Sequence, residues 1–223
     1  MITVHHLENS RSQRVLWLLE ELGVPYEIVR YQRDRVTMLA PPSLREVHPL
    51  GKSPVITDGD TTVAESGAIV EYLLERYGQG RFVPAPGSAD HLRYRYFMHY
   101  AEGSAMPLLL LKLIFDRLET GPVPFFVRPI VRGIAKKMKG LLVTRQLIEH
   151  MAFLEHELEK KPWFTGDSFG AADIQMSFPV EAAKQRGGLT SQHPLLLAYL
   201  TTIHARPAYQ RALERGGPYA FAD

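Results

Sequence analysis

The sequence contains no cysteine among its 223 residues. This absence excludes disulfide bonds, thiolate metal ligands and a cysteine nucleophile. Any thiol chemistry must therefore come from a bound small molecule. The chain also lacks a run of about twenty apolar residues, and its N-terminus lacks the charged-then-apolar pattern of a secretory signal. We therefore expect a soluble, cytoplasmic protein.

The chain also has no large excess of positive or negative charge, with 26 lysines and arginines against 24 aspartates and glutamates. The net charge is +2, so the composition gives no global argument for a nucleic-acid partner, and none is expected. Hydrophobic residues make up 45% of the chain and charged residues 22%, which is typical of a globular protein. The length is sufficient for one large domain or two small ones.

The first part of the chain alternates between strand and helix patterns. Alternating or apolar runs predict strands at residues 2–5, 26–30, 54–57 and 61–64, and the last two flank Asp58-Gly59, a strong hairpin signal. Apolar residues at helical spacing predict one helix from Val15 to a stop at Gly23 and another over residues 66–77. This order predicts a mixed four-stranded sheet of the thioredoxin-like kind.

The rest of the chain has a helical pattern almost throughout. Residues 80–90 contain two prolines and two glycines and are interpreted as a linker. Helices are predicted over about 92–118, 130–160, 171–184 and 195–213. The predicted organisation is therefore an α/β domain over residues 1–79, the linker, and an all-helical domain over residues 91–223.

A group of polar residues, from Glu8 to Ser12, lies where the first strand meets the first helix. Unpaired backbone N–H groups and the positive end of the helix dipole collect at such a junction, which suits an anion. The alternative interpretation is that Ser10 or Ser12 only caps the helix.

Two further motifs precede a strand and a helix. Ser53-Pro54 is either an ordinary strand-entry turn or a cis-proline that exposes backbone groups to a peptide-like ligand, with Lys52 beside it to meet a carboxylate. Glu65-Ser66 is either a plain helix cap or a site for an α-amino acid group, because the helix start attracts a carboxylate and Glu65 attracts an ammonium group.

The order of "SRSQRVLWLLEELGVPYE", "HPLGKSPVI", "AESGAIVEYLLERYG", "WFTGDSFGAADIQMS" and "ARPAYQRAL" resembles the cytosolic, bacterial-type glutathione S-transferase family over nearly the whole chain. The resemblance implies binding of the co-substrate glutathione by the residues His48, Lys52, Ser53, Pro54, Val55, Glu65 and Ser66. Within this set, Glu65 and Ser66 would hold the γ-glutamyl end. Lys52 and His48 would approach the glycyl carboxylate, and Val55 would pair its backbone with the cysteinyl part.

The same resemblance implies a thiolate held at the polar junction. Ser10 is the favoured donor and Asn9 the next, with Arg11 and Ser12 as lesser candidates. Asn9 would act only electrostatically, because an amide cannot accept the thiol proton. The resemblance also implies a buried Asp173 near a helix start, where Gly170 replaces the usual serine or threonine cap and removes the reciprocal capping box.

The expected activity is conjugation of the glutathione thiolate to a small hydrophobic electrophile by a homodimeric detoxification enzyme. Isomerase or peroxidase chemistry on the same fold stays open, as does a non-catalytic binding protein. No metal is expected, because neighbouring His5 and His6 on a strand face opposite sides. The basic segment 128–139 is interpreted as a solvated helix face opposite Val131, Ile134 and Met138, with membrane-surface contact as the less favoured alternative.

Overall fold

The N-terminal part of the protein is built around a four-stranded mixed sheet. The computed structural model describes residues 1–186 and 188–222. The strands are β1 (Ile2–Leu7), β2 (Tyr26–Tyr31), β3 (Val55–Asp58) and β4 (Thr61–Ala64), in the spatial order β2-β1-β3-β4. β1 and β2 are parallel, whereas β3 is antiparallel to both β1 and β4. The predicted mixed sheet is therefore confirmed, and β1 continues two residues beyond its predicted end.

Three helices accompany the sheet. α1 (Ser12–Leu22) provides the crossover that two parallel strands require, and it ends at Gly23, whose φ of 69° suits glycine. α2 (Leu44–Val47) is a single turn, and α3 (Ser66–Tyr77) has the predicted bounds. Every residue of α1 from Ser12 to Leu19 is buried, because this helix lies between the sheet and the helical region.

The regular structure of the described residues after α3 is entirely helical, which confirms the predicted fold class. These are α4 (Ala89–Tyr100), α5 (Met106–Thr120), α6 (Arg128–Lys139), α7 (Arg145–Lys160), α8 (Ala171–Gln185), α9 (Pro194–His204) and α10 (Pro207–Gly216). π-helical turns at Ala101–Ala105 and Gly140–Thr144 join α4 to α5 and α6 to α7. The helix predicted over 195–213 is divided, since Pro207 restricts Arg206 to an extended conformation. The domain limits stay predictions.

The hydrophobic core is continuous between the two regions. Trp17 of α1 packs edge-to-face on Tyr209 of α10, with ring centroids 5.2 Å apart. α8 is buried from Ala171 to Ala183, and its Asp173 accepts hydrogen bonds from the backbone N–H groups of Phe164 and Gly170 at 2.7 and 3.0 Å. Within residues 1–186 and 188–222, no helix is long and apolar enough to cross a membrane.

Candidate glutathione site

A pocket of about 220 Å³ opens where the sheet region meets the helical region. The Ser53–Pro54 peptide bond at its edge is cis. The pocket is lined by Arg11, His48, Leu50, Lys52, Ser53, Pro54, Ala64, Glu65, Ser66 and Glu102. Six of the seven residues predicted to bind glutathione therefore surround one space. The seventh, Val55, is the buried first residue of β3 and pairs in register with His5 and Ala64.

The start of α3 forms one wall of the pocket. Glu65 is exposed and has a φ of 71°, a conformation that costs a residue with a side chain about 1–3 kcal/mol. Ser66 is buried, and its hydroxyl oxygen accepts a hydrogen bond from Arg14 Nη2 at 3.0 Å. Arg14 itself is only 2% exposed. This wall combines a carboxylate, a fixed hydroxyl oxygen and the positive end of a helix dipole.

The loop before β3 supplies further lining residues. Lys52 is exposed, and His48 is half-buried at the end of α2, where its Nδ1 accepts from the Leu50 N–H at 3.4 Å. Lys52 and Glu65 both line the pocket. The pocket lining therefore carries charges of both signs, as a ligand with separated charged groups requires.

A chain of side-chain hydrogen bonds runs inward from the pocket. Ser53 Oγ, at the pocket wall, lies 3.3 Å from Ser10 Oγ, and Ser10 Oγ lies 2.8 Å from Ser12 Oγ. Ser12 Oγ in turn lies 2.8 Å from His6 Nδ1. Ser10 and Ser12 are both buried. The favoured donor, Ser10, therefore lies directly behind Ser53 as seen from the pocket.

The inner end of this chain is a neutral histidine. Burial, together with the nearby Arg30 guanidinium, lowers the pKa of His6 to about 4. The sequence analysis considered His6 only as a possible metal ligand and rejected that role. It did not predict the contact between His6 and Ser12. The alternation of β1 carried the signal, because it places His6 on the face opposite His5.

Asn9 and Arg11, two of the three other predicted donors, have different surroundings from those of Ser10 and Ser12. Asn9 has a φ of 48°, and its side-chain oxygen accepts from the Ala220 N–H at 2.8 Å. Arg11 lines the pocket and donates through Nε to both carboxylate oxygens of Glu102, at 3.0 and 2.9 Å. The roles of Ser10, Asn9 and Arg11 toward a thiolate stay predictions.

Glu102 is a pocket residue that sequence reasoning missed. It lies on the π-helical turn Ala101–Ala105, and such turns are frequent at functional sites. Burial alone would raise the pKa of Glu102, but the guanidinium groups of Arg14 and Arg11 together hold it below its usual value. The available signal was Pro107, whose missing N–H interrupts the predicted helix 92–118.

Other predicted features lie outside this pocket. Within residues 1–186 and 188–222, no group of three or more histidine and acidic side chains is arranged to hold a metal ion. Asp173 is fully buried, and burial raises the pKa of its carboxyl to about 6 against the opposing effect of its hydrogen bonds. A Cβ on Gly170 would lie 2.6 Å from Thr165 Cγ2 and 2.7 Å from the Phe82 carbonyl oxygen. Glycine is therefore required at this cap for steric reasons.

The fold and the pocket define a class of two-domain transferases. Members of this class combine a thioredoxin-like sheet domain, a helical domain and a charged pocket beside a cis-proline. Family models described as the N-terminal and C-terminal domains of glutathione S-transferase match residues 1–75 and 123–207. The chain belongs to the glutathione S-transferase family, and it is a glutathione S-transferase enzyme by this membership.

Similar proteins agree with this assignment. The chain is 39% identical to glutathione S-transferase 3 of Schizosaccharomyces pombe over 96% of this chain and 88% of that protein. It is 32% identical to glutathione S-transferase 1 of Saccharomyces cerevisiae over 96% of this chain and 95% of that protein. A crystal structure of a glutathione S-transferase from Actinobacillus pleuropneumoniae superimposes with a TM-score of 0.77 at 32% identity, covering 100% of this chain and 96% of that chain.

Proposed function

We propose that this glutathione S-transferase joins the thiolate of glutathione to a carbon atom of a small hydrophobic electrophile, such as an aryl halide, from which the halide departs as an anion while the thiol proton is released to water. The observation that supports the proposal is that Glu65, Ser66 and Lys52 line one pocket beside the cis Ser53–Pro54 peptide bond. Glutathione carries an α-ammonium and an α-carboxylate at its γ-glutamyl end and a second carboxylate at its glycyl end. The charges of the pocket match this distribution.

Each end of the tripeptide has its own partners in this proposal. The Ser66 hydroxyl and the first N–H groups of α3 bind the γ-glutamyl carboxylate, and Glu65 binds the ammonium group. Lys52 and His48 bind the glycyl carboxylate. The backbone of Val55, beside Pro54 and Ser53, pairs with the cysteinyl part between them.

The thiol then lies toward the start of α1, where it must lose its proton to become nucleophilic. Lowering a thiol pKa by two units requires about 2.7 kcal/mol of preferential stabilisation of the anion, which one or two charge-assisted hydrogen bonds supply. Ser10 is the proposed hydroxyl donor, in contact with Ser53 at the pocket wall. Asn9 and Arg11 add positive electrostatic potential without accepting the proton.

The wider setting is also part of the proposal. We infer a homodimeric, cytoplasmic enzyme of detoxification from its family membership and from the absence of cysteine, which leaves glutathione as the source of the thiol. The electrophile is bound beside the thiolate on the helical side, so that proximity and orientation accelerate the attack.

Calorimetric titration with reduced glutathione, combined with turnover assays on aryl halides and organic hydroperoxides, tests the proposal. Glu65→Gln is expected to weaken glutathione binding at least about tenfold, because it removes a charge-assisted contact with the ammonium group. Glu71→Gln, an exposed position on the same helix, is the matched control and is expected to bind like wild type. Absence of binding by wild type, or turnover of hydroperoxides alone, contradicts the proposed conjugation.

A further inference from the structure

The hairpin formed by α5 and α6 carries a long segment without acidic residues. Residues 120–148 contain six lysines and arginines and no aspartate or glutamate. Some of these cations serve the fold: Lys139 pairs with Asp116 and Glu119 of α5, and Arg132 Nε donates to the Glu119 carbonyl oxygen. These contacts hold α6 against α5, and Arg145 pairs with Glu149 at 2.8 Å, so Lys136 and Lys137 are the lysines of the segment that make no ion pair with any described residue.

The same segment exposes large apolar side chains. Phe125 and Phe126 are 83% and 68% exposed, and their rings pack edge-to-face on each other with centroids 5.6 Å apart. Ile130 and Ile134 follow four residues apart on one face of α6 and are 63% and 60% exposed. The sequence pattern had assigned Ile134 to the inner face of this helix. The structure places Ala135 there instead.

Two exposed lysines follow along α6: Lys137 on the side of this apolar face, and Lys136 on the flank that it shares with Arg132 and Glu119. Lys136 and Lys137 are exposed, and Lys137 lies seven residues after Ile130, on the same side of the helix. Among the residues that the structure describes, neither lysine makes an ion pair. We define the basic–aromatic surface as the set Phe125, Phe126, Ile130, Ile134, Lys136 and Lys137.

We propose that the basic–aromatic surface binds the surface of an anionic lipid bilayer. A basic amphipathic helix with exposed aromatic side chains lies in the plane of such an interface, with the apolar groups at the boundary between headgroups and acyl chains. The two phenylalanines enter this boundary, and Lys136 and Lys137 contact the phosphate and carboxylate groups of anionic lipids.

Charge complementarity favours lipid over other occupants of this surface. A second copy of the chain would bring its own lysines against these lysines, which opposes self-association through this face. A nucleic acid would match the charge and would find Phe125 and Phe126 to stack on, but it would leave the aliphatic Ile130 and Ile134 without an apolar partner. A bilayer provides anionic headgroups for the lysines and an apolar environment for the phenylalanine and isoleucine side chains. The inference is independent of the proposed reaction, since none of these residues lines the glutathione pocket.

Co-sedimentation of the full chain with phosphatidylcholine vesicles, with and without phosphatidylserine, tests this inference. Wild type is expected to bind the anionic vesicles more tightly, and less so as salt increases. Lys136→Gln/Lys137→Gln is expected to reduce binding about 20-fold, and Phe125→Ser/Phe126→Ser at least about tenfold. Tryptophan fluorescence of Phe125→Trp is expected to shift to shorter wavelength on vesicle binding.

Matched controls change equally exposed residues elsewhere. Arg35→Gln/Arg95→Gln and Val36→Ser/Leu39→Ser are expected to bind vesicles like wild type. The inference is overturned if wild type does not bind anionic vesicles, or if both surface variants bind as well as wild type. It is equally overturned if Phe125→Ser/Phe126→Ser changes the sedimentation coefficient of the protein without lipid, because the surface would then be an interface between copies.

Discussion

The hydroxyl oxygen of Ser10 lies 3.3 Å from that of Ser53, so a buried hydroxyl stands directly behind one that faces the pocket. Ser53 Oγ also donates to the His5 carbonyl oxygen at 3.1 Å. The proton of Ser53 is thereby engaged in the sheet, so the Ser53 oxygen is available to accept a hydrogen bond from Ser10, whose hydroxyl also lies 2.8 Å from Ser12 Oγ.

Ser10→Ala is expected to raise the pKa of the bound glutathione thiol by about one unit, equivalent to roughly 1.4 kcal/mol. The reason is the loss of one hydrogen bond to the anion. Ultraviolet absorbance of the thiolate, followed against pH in the complex, measures this change. Asn9→Ala is the comparison, with a smaller expected effect, because its side-chain oxygen is engaged by Ala220. Unchanged thiol titration in both variants would remove the proposed activation while leaving glutathione binding intact.

His6 is expected to make the protein less stable in acid. Burial lowers its pKa from 6.5 to about 4, so the unfolded chain binds a proton more readily than the folded chain between these values. The contribution of His6 to stability is therefore present above pH 6.5 and is lost as the pH falls toward 4. Its full size is about 3 kcal/mol, and urea unfolding at several pH values measures it.

His6→Asn isolates this contribution, because the amide remains near Ser12 but does not titrate. The pH dependence of the variant must be subtracted from that of wild type, because Asp173 changes the free energy of unfolding with pH in the opposite direction. Its pKa is raised by burial to about 6, so its contribution is present at low pH and is lost as the pH rises toward 6. His99→Asn, at an exposed position, is the control. A pH dependence that is the same in His6→Asn and wild type would contradict the prediction.

Glu102→Gln is expected to reduce the free energy of unfolding by about 2–4 kcal/mol, because it leaves the buried Arg14 guanidinium without its counter-charge. Arg11→Gln removes the more exposed half of the same network and is expected to cost less than about 1 kcal/mol. Urea denaturation of both variants at neutral pH provides the comparison. Equal costs would show that the pocket-side ion pair contributes as much as the buried one.

Gly170→Ser is expected to destabilise the protein by at least about 1 kcal/mol, although serine is an excellent helix cap. The added Cβ would collide with Thr165 and with the Phe82 carbonyl oxygen. Thr165→Ala in the same chain is expected to restore part of the loss, since it removes one of the two collisions. Thermal unfolding of the four members of the double-mutant cycle measures the coupling. Stabilisation by Gly170→Ser alone would show that capping outweighs the steric cost.

Local patterns were sufficient for most of the fold. The spacing of apolar residues predicted α3 with its observed bounds, and Asp58-Gly59 located the hairpin between β3 and β4. Local patterns did not predict where the helices become irregular. The π-helical turns lie inside two segments that the sequence pattern showed as continuous helices, because the change from i→i+4 to i→i+5 bonding is made by the backbone and no residue type marks it reliably.

The sequence by itself determined that the reactive thiol must come from a ligand, and it identified the residues available to bind that ligand. Without cysteine, the thiol has to come from a ligand, and the motifs at Ser53-Pro54 and Glu65-Ser66 depend on neighbours in the chain.

Only the tertiary structure decided which distant groups meet. The contacts of Ser10 with Ser53 and of Arg14 with Glu102 join residues far apart in the chain, which no local pattern specifies. The tertiary structure also decided which side chains are exposed. Ile134 lies on the exposed face of α6, because the packing of α6 on α5 buries the face that carries Ala135. Burial depends on the neighbouring element, and the sequence of one helix does not contain that information.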